Sequence, residues 1–199
     1  MSLPRFIARV FLWLPLCFAV WYFGTPLLAW PVGQLVKGLL HMGFSDFVTG
    51  IEMAHGTLSA VTTLRPENAP LGSRVVLVPE VNTLVYSFGM PLFAALVLAA
   101  REPGWPMKIA IGLGVLLPMQ VIGVVADVLR QVAIIAGPGV ALQAGFSQWQ
   151  RELVVFVFQF SSLIVPAVVP AILWVILDRR FLERWRSPGG QSAQGDTAK

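Results

Sequence analysis

The sequence predicts a membrane α-helical bundle of about four transmembrane helices, with a short amphipathic helix and a small three-stranded antiparallel β-meander outside the bilayer. Three observations carry this reading. The 199 residues are 56% hydrophobic and only 12% charged, with a mean hydropathy of +0.75, whereas a soluble domain carries about a quarter charged residues. Apolar stretches near 6–30, 82–100, 109–136 and 153–177 reach the roughly 17–25 residues that a helix needs to cross a bilayer. Between them, segment 46–81 drops the helical period and alternates apolar with polar side chains, the period of a half-buried strand.

One integral membrane domain over 1–186 follows, with a small polar tail at 187–199 that reads as disordered and cytoplasmic. The first apolar run exceeds the roughly 7–15 residues of a signal peptide and lacks an A-x-A site, so it reads as an uncleaved anchor. The single cysteine, Cys17, lies within it; it has no second cysteine to pair with and reads as a small buried hydrophobe. The net charge of +4 is dispersed and does not argue for nucleic acid. Arg5 and Arg9 before the first span, Arg101 and Lys108 between the second and third, and Arg179, Arg180, Arg184 and Arg186 after the fourth put both termini in the cytoplasm. The outer side carries Lys37, Arg65, Arg74 and Arg151 over a much longer stretch. Trp30 and Trp149 then fall at the outer interface, and Trp105 and Trp185 at the inner one.

Val32, Leu35, Val36, Leu39 and Leu40 share one helical face of residues 31–44. That segment reads as a short helix that either lies on the outer membrane surface or packs on the spans. Phe47, Thr49, Ile51 and Met53 mark a first strand, His55-Gly56 a turn, 57–64 a second strand, and 74–78 a third after the Pro/Gly-rich loop 65–73. Pro79 breaks this strand, and an apolar helix begins near Asn82. Glu80, Asn82 and Thr83 are thereby held at the membrane surface. Pro91, Pro118, Pro166 and Pro170 predict kinks in the spans.

The third span ends in ADVLRQVAIIAG, where Asp127 and Arg130 share a helix face. An Arg at the membrane centre costs about 2.5–3.5 kcal/mol on insertion scales, so it calls for a partner. Arg130 is thus either half of an interfacial ion pair or a guanidinium aimed at a site beside Asn82. Arg151-Glu152 opens the last span, where Glu152 suits the helix dipole as a capping group. Gln159, Ser161 and Ser162 lie deeper and suit hydrogen bonds to neighbouring helices. No H-E-x-x-H, C-x-x-C, G-x-S-x-G or P-loop occurs, and His41 and His55 are isolated, so no metal or cofactor is implied.

This order of a span, a short sheet, a strand entering a helix, D-x-x-R in the next helix and a polar start to the last helix resembles exosortases and archaeosortases, most closely the compact exosortase H type. Those enzymes are thought to cut C-terminal sorting signals at the outer membrane surface with a Cys, an Arg and a His. The resemblance sets Asn82, within Glu80-Val81-Asn82-Thr83-Leu84, where that family has its Cys. It sets Arg130 at the Arg, and Arg151 or Glu152 near the His. Only the Arg survives. An asparagine supplies no thiolate, and neither Arg nor Glu carries protons at neutral pH as His does. The chain is similar to proteins described as exosortase H-associated membrane proteins. That resemblance implies a non-catalytic accessory protein of the bacterial inner membrane, a degenerate relative that meets an exosortase H-type enzyme or its signal-bearing substrates. Two alternatives stay open: a cysteine-free hydrolase using Glu80, Arg130 and Glu152, and a small transporter or lipid-binding protein.

Overall fold

The computed structural model describes residues 3–54, 56–67, 69–70 and 75–179. The expected tail, the C-terminal arginines from Arg180 onward, Trp185, His55 and Arg74 lie outside the described residues.

Three helices are long and apolar enough to cross a membrane: Pro4–Phe44, Trp105–Ile135 and Gln148–Leu177. The first belongs to α1, Leu3–Phe44, which is 42 residues long, about 63 Å. The separate amphipathic helix at 31–44 is therefore corrected: the chain runs through Pro31 without a break. Its apolar face is also narrower than the five-residue stripe. Val32, Val36 and Leu40 are fully buried, whereas Leu35 and Leu39 are exposed. An i, i+4, i+8 row suffices because this part of α1 packs on the sheet. Cys17 is buried lower on the same helix.

The sheet is the expected three-stranded antiparallel meander, in the order β1-β2-β3. β1 (Val48–Ala54) pairs with β2 (Thr57–Thr62), and the Ala54–Thr57 pair closes a two-residue turn. Gly56 takes φ +85° there, a conformation that side-chain-bearing residues rarely adopt. The third strand is corrected from 74–78 to β3, Glu80–Asn82. Residues 75–79 run along β2 with sparse bonding: the Leu77 amide donates to Leu64 O, and Ala60 N–H to Pro79 O. Val75, Val76 and Val78 are exposed, while Leu77 is half-buried against the core and Pro79 is buried; what the segment lacks is the continuous pairing with β2 that Glu80–Asn82 have.

The second span is also corrected. Asn82 does not open a membrane-length helix; it caps a 3-10 turn, Thr83–Tyr86, and α2 follows only at Gly89–Ala100. Its 12 residues reach about 18 Å, so the helix alone is shorter than a bilayer core of roughly 30 Å; its far end nonetheless packs Ala99 and Ala100 with Phe6 and Trp174, level with the start of α1 and the end of the last helix. α3 (Trp105–Arg130) continues as a π-helical turn, Gln131–Ile135. After the short α4 (Pro138–Gln143), α5 (Gln148–Gln159) passes through a second π turn, Phe160–Ile164, into α6 (Val165–Leu177). Pro166 has no N–H to give the preceding turn, and a widened turn accommodates that loss.

The main core joins Val32, Val36 and Leu40 of α1 with Leu58 and Ala60 of β2, Val81 of β3, and Val124, Val128 and Val132 of the α3 run. At the end of the bundle away from the sheet, Lys108 of α3 is ion-paired with Asp178, whose side chain is wholly buried. Removing the cation leaves that carboxylate stranded. Lys108→Met is expected to lose about 3–5 kcal/mol of stability, and Lys108→Met with Asp178→Leu to regain most of it, as read by unfolding of the purified protein in detergent.

Candidate functional site

The sheet and the bundle meet at β3. Val81 points into the core, while Glu80 and Asn82 face out. Pro79 and Thr83 bond towards β2, to Ala60 and Gly56. By strand alternation, the N–H and C=O of Glu80 point away from it. Gln131, the first residue after α3, meets both. The Glu80 amide donates to Gln131 Oε1 at 3.3 Å, and Gln131 Nε2 donates to Glu80 O at 2.9 Å. A side-chain amide thus stands in for a fourth strand on an open edge.

Below this clamp, the junction is closed by buried polar groups. The Thr83 hydroxyl donates to Gly56 O at 2.7 Å, and Gln120 Nε2 to Thr83 O at 3.2 Å. Asn82 turns its carboxamide back on its own chain, where Oδ1 accepts from the Leu84 amide at 3.0 Å.

Arg130 precedes Gln131 and, about 100° round the helix, faces a different neighbour. Its Nη2 and Nε donate to Asp127 Oδ1 at 2.6 and 3.1 Å. The guanidinium also lies over the Phe158 ring of α5, 4.0 Å from its centroid. Tyr86 packs its ring against the bare Cα of Gly123 and faces the same carboxylate. Asp127 and Arg130 therefore form an ion pair, one of the two alternatives open from the sequence.

Arg151 and Glu152 lie further along, on α5. Glu152 does not cap the helix. Ser147 does, in a reciprocal capping box with Gln150, while Glu152 accepts from Gln148 Nε2 at 3.1 Å. Both Arg151 and Glu152 line an open groove of 510 Å³ with Gln148, Gln159, Phe156 and Ile134, the last one turn beyond Arg130. Among the deeper polar residues, Ser162 departs from expectation: its hydroxyl donates to Gln159 O of its own helix.

Sequence reasoning missed Gln131, Tyr86 and Glu67. The Glu67 carboxylate accepts from the Gly139 amide at the start of α4, and Gln143 brackets the backbone of Arg65, accepting at 3.2 Å and donating at 3.4 Å. No group of three or more His, Cys, Asp or Glu side chains among the described residues could hold a metal ion.

The pattern that defines the exosortase H-associated membrane proteins matches residues 1–181. The chain belongs to that family. No curated protein and no solved structure matched it.

Gln131→Ala is expected to release both bonds to Glu80. The cost is about 1–2 kcal/mol, and amide hydrogen exchange at Glu80 should quicken about tenfold. Asp127→Leu, which leaves the partly exposed Arg130 beside Phe158 without its carboxylate, is expected to cost about 1.5–3 kcal/mol in the same detergent unfolding assay.

Proposed function

We propose that this family member is a non-catalytic accessory protein of an exosortase-type sorting system, seated in the bacterial inner membrane with both termini in the cytoplasm and the sheet outside. Its partner is the exosortase H-type enzyme or the signal-bearing substrates of that enzyme. The observation that carries the reading is the fate of Arg130. This is the one residue matching the enzymes' catalytic set, and here its guanidinium is taken up by Asp127 and Phe158. At the position matching the nucleophile, Asn82 caps its own turn, and an amide offers no thiolate for attack on a peptide carbonyl. The family description, which names association with exosortase H, supports the partner.

The protein is expected to co-purify with an exosortase H-type enzyme expressed beside it, and a photo-crosslinker in place of Asn82 to capture that enzyme or its substrate. Asn82→Ala should leave processing of the sorting signal within about twofold of wild type, a change of under 0.5 kcal/mol. Loss of processing in that variant, or capture of no sorting component, would overturn the reading.

A further inference from the structure

Within the helices Trp105–Ile135 and Gln148–Leu177 there are three cationic side chains. Lys108 is paired with Asp178 and Arg130 with Asp127. Arg151 has no ion pair among the described residues, and its Nε is buried without a hydrogen-bond partner. Its neighbour Glu152, which lines the same groove, makes no ion pair with it. Glu152 is in any case engaged by Gln148.

The groove that Arg151 lines continues down the helix. Gln148, Glu152 and Gln159 are exposed and recur at spacings of four and seven, which sets them in one stripe. Gln159 lies about 16 Å along a run of about 45 Å, within the apolar layer. Its carboxamide has no hydrogen-bond partner among the described residues. A polar side chain facing hydrocarbon is unsatisfied unless another protein group meets it.

We propose that this face is a docking groove for a transmembrane helix of a partner protein, one with an acidic side chain level with Arg151 and an amide or hydroxyl about two turns deeper, level with Gln159. Arg151, half-exposed, with a buried unbonded Nε and no counter-ion among the described residues, is complemented by an anion, and the depth of Gln159 requires an occupant that carries polar atoms into the apolar layer. A phospholipid meets the first requirement with its headgroup, but its acyl chains leave Gln159 unmet. A second copy in the same orientation sets guanidinium against guanidinium at one depth. The inference goes beyond the sorting context, since it concerns what the face binds and not which system supplies the partner.

The test uses the full chain, labelled with a fluorescent donor, in phosphatidylcholine vesicles. The probe is an acceptor-labelled leucine–alanine helix carrying one Glu and one Asn two turns apart, with an all-apolar helix as control. The polar helix should associate about tenfold more tightly than the control. Gln159→Leu, which suits a lipid-facing position and should fold normally, should lower that association about tenfold. Equal association of both peptides, or no effect of Gln159→Leu, would overturn the proposal. So would energy transfer between two labelled copies that Gln159→Leu abolishes, which would make the occupant a second copy. Phosphatidylethanolamine retained in native mass spectrometry and lost in Arg151→Gln, without peptide association, would make the site a headgroup site and equally overturn it.

Discussion

The outward edge of β3 is the constraint on which the architecture depends. A strand of three residues with one strand neighbour is marginal by itself, and its free edge must find partners or stay open to water and other chains. Gln131 meets that need at Glu80 with one acceptor and one donor. Gln143 repeats the device at Arg65, and the Glu67 carboxylate meets the start of α4. The sheet is therefore attached to the helices by hydrogen bonds around its rim and by Val81 and Leu58 within the core. Because β3 leads through a 3-10 turn into α2, the same attachment sets where that helix starts.

The charges serve a similar purpose along α3. At the sheet end, Arg130 binds Asp127 and lies over Phe158, which ties α3 to α5. At the opposite end, Lys108 reaches Asp178 just beyond α6. The helix is thus clipped at both ends to the run that closes the chain. An arginine held in this way has both a counter-ion and a ring face.

Hydropathy made the long helices legible, and alternation from Phe47 to Met53 with His55-Gly56 made the first hairpin legible. Family membership was also readable, from the order of elements and Asp127-x-x-Arg130. The continuity of α1 was not. Trp30-Pro31 marks a change from lipid-facing to mixed composition, and that change resembles a boundary although the helix passes through it. The 82–100 stretch is uniformly apolar, and hydropathy alone cannot separate a 3-10 turn and a short helix from one long helix. The third strand is expected at 74–78 because the stretch begins as an alternation of polar and apolar residues. What decides strand formation there is register with β2, whose residues 57–59 pair with Glu80–Asn82, while Gln131 covers the opposite edge. Carboxamides that bind backbone leave no periodic trace, so Gln131 and Gln143 carried no signal in the sequence.

The composition of the main core bears on the order in which the molecule can assemble. Val32, Val36 and Leu40 are synthesised early, whereas Val124, Val128, Val132 and Val154, which complete the same cluster, come roughly a hundred residues later. Contacts of such long sequence separation close late and slowly. Until the third helix has been made and inserted, the hairpin therefore has only α1 to pack on and its edges stay bare. That interval is when the chain is most open to mispairing with other exposed strands, and when a membrane chaperone has most to offer it.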